Sequence, residues 1–320
     1  MTVSPQAAET DGSTAAGEGG RPRLLLSIDF EDWHQLVHRR LGLPDWDRPH
    51  AALERQTTIV LDLLDELNAR ATFFLLGMTV ARYPELVAEI VRRGHEPACH
   101  GHAHRPVSGQ TCAEFREDVT RALEVITSAT GRAPVAYRAP AFSITRETPW
   151  AYDVLAEAGV TYDSSQYDSP RIRDRIAGIP ASPYRLRAPG GRELWELPIA
   201  ARGPLPVGGG AYWRVLPARL LNRALADVRR QNAYPVLYFH PYEFDEEPLK
   251  AALPSPASAR QRLTATSRSL WRNTGRQLVT RRLREVARRY ELLSYEQAYD
   301  DIHRLYGTGT RALSEEGVLV

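Results

Sequence analysis

Lysine is almost missing from this chain: Lys250 is the only one in 320 residues, although Lys and Arg together number 41. Schiff-base chemistry needs an amine nucleophile, so that class is not expected. The arginine bias reads as GC-rich coding and not as an arginine-based binding surface. Cysteine is nearly as scarce. Cys99 and Cys112 are too few for a disulfide framework and form no CxxC pair of a zinc ribbon. Cys99 ends an apolar run and reads as a small buried hydrophobe. No run reaches the roughly 20 apolar residues that span a bilayer, so no transmembrane segment is expected. Acidic residues number 39 against the 41 basic ones, a net charge of +2. That balance gives no general attraction to nucleic acid or to an anionic membrane. The first residues lack the basic start and apolar stretch of a secretory signal. Residues 1–21 read as a disordered leader, and a cytoplasmic location is the expectation. Self-association is left open.

What is present is an ordinary globular composition, 43% hydrophobic and 25% charged, with enough chain for one substantial core. Short runs rich in strand formers fall at 23–29, 71–77, 96–100, 135–140, 161–165, 193–199 and 235–241. Helical patterns alternate with them. Ile59, Leu63, Leu64 and Leu67 recur at helical spacing between the first two runs. ELVAEIVRRG stops at Gly94, and WAYDVLAEAG also stops at a glycine. Such alternation predicts an α/β fold with a parallel sheet and helical crossovers. Asp29, His100, Arg138, Asp163 and His240 all stand at the C-terminal ends of strand candidates. In a barrel those ends converge on one mouth, so a distorted (β/α)7 barrel related to the TIM barrel is expected over 22–245. Residues 246–320 are expected as an extension packed on it. Within them, the polar, proline-containing stretch 245–275 reads as a long loop leading to an arginine-rich helix at 276–290.

HEPACHGHAHRP holds four of the nine histidines. His100 and His104, four apart, can turn two imidazoles toward one ion. Neutral imidazole suits zinc, nickel and related divalent ions. His95 follows Gly94 and reads as a capping residue, and His102 points elsewhere. SIDFEDWH supplies Asp29, Glu31 and Asp32; the chemistry would use one carboxylate on the metal and one to take a proton. In AYRAPAFSI, Arg138 can orient a carboxylate bidentately. His240, in YFHPYEFD, reads as a structural histidine or as a general acid. Asp163, in TYDSS, could keep it protonated.

Together these motifs resemble the NodB-type polysaccharide deacetylases, carbohydrate esterase family 4. FEDWH, YRAPAFSIT, YDSSQYD, LPVGGGAYWRVLP and YFHPYEFD are similar to the exopolysaccharide-locus subgroup that carries a DUF3473-type C-terminal extension. There is similarity also to the peptidoglycan-deacetylase-like and allantoinase-like branch. The resemblance implies one divalent metal, Zn2+ first with Ni2+ or Co2+ as alternatives, and an N-acetylated glycan as substrate. It puts His100 and His104 on the metal, Asp29 as base, Arg138 beside it and His240 as acid. Phe30 separates Asp29 from the next acids, so Asp32 is preferred as the third ligand, with Glu31 the alternative. Ala141 stands where the family has a tyrosine, and its backbone N–H can still hold an oxyanion. Trp33, Phe142, Tyr167, Tyr212 and Trp213 are candidates for stacking on sugar rings. The glycines Gly208, Gly209 and Gly210 permit close backbone approach to substrate. Two other functions stay open: hydrolysis of a small non-sugar amide, and an inactive glycan-binding protein of the same fold.

Overall fold

Seven apolar runs of strand-forming residues separated by amphipathic helices leave little choice but a parallel sheet covered by helices. The computed structural model describes residues 20–48, 50–167, 175–203 and 205–320, so nearly all of the expected leader lies outside the described residues. In chain order, β1 (Arg23–Phe30) is followed by α1 (Trp33–Leu41) and α2 (Ala52–Glu66). β2 (Thr72–Leu75) leads to α3 (Gly77–Arg82) and α4 (Pro84–Arg92), β3 (Glu96–Cys99) to α5 (Cys112–Thr130), and β4 (Ala136–Tyr137) to α6 (Ala151–Glu157). Then come β5 (Tyr162–Asp163), β6 (Tyr184–Arg187), β7 (Glu193–Glu196), α7 (Gly210–Val215), α8 (Ala218–Gln231) and β8 (Val236–Phe239). The chain continues through α9 (Ala259–Asn273), α10 (Gln277–Ala287), β9 (Glu291–Leu293), α11 (Tyr299–Tyr306) and β10 (Thr310–Ala312). Gly94, Gly131 and Gly159 follow α4, α5 and α6 with φ of 80°, 68° and 87°, the left-handed stop that glycine makes cheaply.

β1 pairs in parallel with β2 on one side and β8 on the other, and the order runs on through β3, β4, β5 and β7. The ring closes where Ile199, just past β7, pairs with Val236 of β8. Seven parallel strands therefore make the distorted (β/α)7 barrel. β6 pairs antiparallel with β7 on the outside and carries β10, while β9 pairs with the first three residues of β1. None of these three strands was expected. All three are short; β9 and β10 pair with strands far along the chain, and β6 folds back on the neighbouring β7.

Side chains alternate between two faces of each strand. Leu24, Leu26, Ile28 and Phe30 of β1 join the layer under the helices, with Phe73, Leu75, Cys99, Leu237 and Phe239. Leu25, Phe74, Ala98, Ala136, Tyr162, Trp195 and Val236 fill the barrel interior together with Tyr295, Ala298 and Ile302 from the C-terminal segment. The expected loop over 245–275 is half wrong. Residues 259–273 form α9, opened by a capping box in which Ser258 and Gln261 satisfy each other's backbone N–H. S-x-x-Q was a readable start signal, but the helix buries only Ala265 and has no apolar stripe to betray it. No helix among the described residues is long and apolar enough to cross a membrane.

Barrel closure depends on Gly208. A Cβ there would lie 2.4 Å from the Val236 carbonyl oxygen and 2.8 Å from Ile199. Gly208→Ala is expected to cost about 1–3 kcal/mol, the usual penalty of overpacking, read as a lower thermal midpoint. Gly109, whose Cβ would meet nothing within 4 Å, is the control: an equal drop in Gly109→Ala would remove the closure argument.

Candidate metal centre and active site

The same alternation that buries Leu25 and Ser27 inside the barrel carries Asp29 to its mouth and Glu31 just above. His100 follows interior Ala98, Arg138 follows interior Ala136, and Tyr238 and His240 follow interior Val236. Glu31, His100 and His104 each offer a ligand atom, all within 4.8 Å of one another. The His100 Nδ1–H donates to the Arg138 carbonyl at 2.8 Å, which fixes the tautomer and leaves Nε2 with its lone pair. Burial holds His100 neutral, its pKa lowered to about 4. His104 has φ 50°, and its loop is pinned by Asp118, which accepts from the backbone N–H of His102 at 2.7 Å and of Ala103 at 3.3 Å. Glu31 Oε2 lies 2.7 Å from His104 Nε2, yet it is buried without a hydrogen-bond partner. A buried carboxylate oxygen facing an imidazole nitrogen in that way is suited to share a cation. Burial opposes ionisation of Glu31, but His104 and His240 outweigh it and hold the carboxyl well below its usual range.

Asp32, the preferred third ligand, is not in this group. β1 ends at Phe30, and Asp32 caps α1: Oδ1 accepts from the His34 N–H at 2.8 Å and Oδ2 from the His50 N–H. Glu31 follows directly on the last strand residue, so the carboxylate two places from Asp29 keeps the inward face and its neighbour turns to the helix. Asp29 is gripped by Arg138, whose Nη1 donates to Oδ1 at 2.6 Å. Arg138 is fully buried, and its other N–H groups reach Ser27 Oγ, the Ser164 carbonyl and Oγ, and Tyr295 Oη at 2.7–3.0 Å. The Phe74 ring lies 4.1 Å from its guanidinium carbon.

His240 Nε2 lies 2.9 Å from Glu31 Oε1, and its Nδ1 lies 3.1 Å from Glu243 Oε2. Burial alone would lower its pKa, but the bonds to Glu243 and Glu31 win and push it up to about 9. Asp163 is not its partner. Interior Tyr162 forces Asp163 onto the helix side of β5, where it accepts from Ser165 Oγ at 2.7 Å and sits beside Glu196. Burial and that neighbouring charge raise Glu196 well above the usual carboxylate range.

A cleft of about 700 Å³ joins Asp29, Glu31, His100, His104, Ala141, Phe142, Tyr238 and His240, and Trp33, Trp271 and Arg272 line its wall. Ala141 and Phe142 both have positive φ, 55° and 54°, and Phe142 packs edge-on against Tyr167 and Tyr238 at 5.1 and 5.0 Å. The glycine-rich loop is used differently from expectation. A Cβ on Gly209 would strike the Tyr238 ring at 2.8 Å, and one on Gly210 the Glu243 carboxylate at 2.2 Å. Those glycines make room for the protein's own side chains. Trp213 is wholly buried, edge-on to Phe239, with Nε1–H donating to the Val207 carbonyl; it is core and no sugar platform. Tyr212 is half-buried and is not among the cleft-lining residues. His95 is also core, with its Nδ1 accepting from the Ala71 N–H. The His102 ring packs on Gly77, away from the cluster. Ser27, Ser164, Glu243, Tyr295, Trp271 and Arg272 were not foreseen. Strand parity marks the two serines, and the i, i+3 spacing of His240 and Glu243 marks that pair; Tyr295, Trp271 and Arg272 carry no local signal.

A family profile described as polysaccharide deacetylase matches residues 47–162, and one described as a domain of unknown function, DUF3473, matches 164–299. The two meet at the end of β5, so the second includes His240, Glu243 and Tyr295. A chitooligosaccharide deacetylase of Bradyrhizobium sp. is 41% identical over 101 residues, 31% of this chain and 43% of that protein. The chain thus spans less than half of that relative's length. A solved structure assigned as a polysaccharide deacetylase from Mycobacterium smegmatis superposes with a TM-score of 0.57 at 23% identity, covering 89% of this chain and 92% of that one. An allantoinase superposes at 0.55 and 17% identity, over 95% and 97%. These two likenesses concern the fold.

In metal-free protein, Glu243→Gln is expected to lower the His240 titration midpoint, and Asp163→Asn to leave it in place, as read by imidazole NMR shifts. A midpoint that follows Asp163 instead would reverse the assignment. Because the folded pKa of about 9 exceeds the unfolded value of about 6.5, His240 adds stability below the lower value. That contribution disappears as pH rises through the higher one. Trp213→Ala is expected to lose about 3–5 kcal/mol of stability, as for other buried large aromatics, measured by denaturant unfolding.

Proposed function

From a chain that carries a polysaccharide deacetylase domain joined to a DUF3473 domain, we propose a metal-dependent N-deacetylase acting on a glycan of N-acetylated sugars. The observation that carries this reading is the convergence, in one cleft, of Glu31, His100 and His104 with an arginine-held Asp29 and a carboxylate-supported His240. One carboxylate and two imidazoles are a donor set suited to zinc, with nickel or cobalt as alternatives. Held by these three residues, such an ion would polarise the acetamide carbonyl and make water more acidic.

The chain's own residues do the rest. Asp29, with Oδ1 engaged by Arg138, uses its second oxygen to take the proton of the attacking water. Arg138 keeps that carboxylate fixed in direction. The Ala141 N–H donates to the oxyanion, a role that needs no side chain. His240, kept protonated by Glu243, delivers a proton to the departing nitrogen, so one amide and one water become acetate and an amine. Trp271 and Phe142 offer apolar surface to the sugar ring. The expected division of labour between a barrel over 22–245 and an extension over 246–320 becomes a proposal that the extension belongs to the site, since Tyr295 completes the shell around Arg138.

Metal content and acetate release test the assignment together. Glu31→Gln, His100→Ala and His104→Ala are each expected to lose bound metal and activity, whereas Asp32→Asn keeps the metal. Normal metal in the Glu31 variant, with loss in the Asp32 variant, would restore the other ligand. Asp29→Asn and His240→Ala are expected to stay folded and metal-loaded, with turnover reduced by about two to four orders of magnitude. Hydrolysis of small amides with no acetate from N-acetylglucosamine oligomers would instead favour the non-sugar substrate.

A further inference from the structure

The active-site cleft does not end at Trp271. A second hollow of about 690 Å³ continues from it between the C-terminal end of α1 and the first turns of α9, and Arg39, Arg40 and Arg268 line both. Arg260 adds a fourth guanidinium, with hydroxyls from Ser258, Thr264 and Ser267, and no carboxylate is among the described lining residues. Arg40, Arg260 and Arg268 have no ion-pair partner among the described residues. Elsewhere on this surface arginines are paired repeatedly, as in Arg93 with Asp62, Asp65 and Glu89. The chain as a whole is only +2, so this charge is local.

Helix stability does not account for it. Cations near the C-terminus of α1 complement the helix dipole, which covers Arg39 and Arg40. Arg39 also has a positioning task, donating to the carbonyls of Ala103 and His104 in the histidine loop. Arg260 stands in the first turn of α9, where the dipole disfavours a cation, and α9 has no acid in that turn. α9 also carries Arg262, Arg268 and Arg272, again without an acid. Four unneutralised guanidiniums around one hollow repel one another unless an anion is shared between them.

We propose that this arginine trough binds an oxyanion on the glycan substrate, either a phosphate or pyrophosphate at its end or a uronate carboxylate within it. The occupied trough holds the chain so that an N-acetyl group a few sugars away reaches Asp29 and His240. The glycan in this statement rests on the deacetylase reading; the anion site itself does not. Guanidinium forks match phosphate and carboxylate geometry in pairs, and the trough opens onto the cleft at residues common to both.

Two measurements test it on the full-length protein. The first is equilibrium binding of fluorescent N-acetylglucosamine oligomers that are neutral, phosphate- or pyrophosphate-terminated, or uronate-bearing. The second is acetate release from the same set. Wild-type protein is expected to bind one anionic class at least tenfold more tightly than the neutral oligomer, with the preference falling as salt rises. The variant Arg260→Ala, at a residue that lines the second hollow and not the cleft, loses that preference and raises KM for the anionic oligomer about tenfold. Its kcat and its handling of the neutral oligomer stay unchanged, and Arg260→Lys restores part of the preference. Which anionic class is preferred identifies the group. Anion-selective binding without acetate release would uphold the trough and overturn the deacetylase reading. Equal binding of all oligomers, or binding of none, would overturn the trough. Arginine-dependent binding to phosphatidylglycerol vesicles with no discrimination among the oligomers would overturn it in favour of a membrane surface.

Discussion

The rest of the site depends on one buried charge. Arg138 sits at the centre of the barrel with no exposed surface, where an unpaired guanidinium would be prohibitive. It is tolerated because each of its five N–H groups meets an acceptor, drawn from β1, from the residues after β5 and from the segment after β9. Its carbonyl orients His100. The same residue therefore fixes the direction of the Asp29 carboxylate and the tautomer of a candidate ligand. A substitution there would disturb three strands and both halves of the chemistry at once.

The second constraint is strand parity. Because interior and exterior positions alternate, a polar residue at a strand end reaches the mouth only if it stands an even number of places from an interior one. Asp29, His100, Arg138 and His240 satisfy this, and all four were legible from their motifs. Asp163 fails it by one residue and lands beside Glu196, although TYDSS looked equivalent by position alone. Where β1 ends separates Asp32 from Glu31: Asp32 caps α1, and Glu31 lies with His100 and His104. Parity applied to β1 in the sequence would have favoured Glu31.

Much of the barrel was legible because its strands are apolar runs and its helices stop at glycines. What escaped were β9 and β10, whose partners are distant, the short β6 beside β7, and the polar helix α9. The glycine-rich loop and Trp213 misled for a related reason. Glycine signals close approach without naming what approaches, and here it is Tyr238 and Glu243. A tryptophan beside glycines is equally compatible with a sugar and with a core, and burial against Phe239 decided for the core.

Tyr295 gives the C-terminal segment a meaning in time. Its hydroxyl meets the Arg138 guanidinium across 157 residues of chain, so that shell cannot close until a ribosome has passed Tyr295. Until then the central arginine lacks an acceptor and the interior lacks its floor of Tyr295, Ala298 and Ile302. Prematurely terminated products would thus carry every motif residue from Asp29 to His240 without the means to hold them in register. The stretch around Tyr295 acts as a seal, tying the set of the site to the arrival of the barrel's own interior packing.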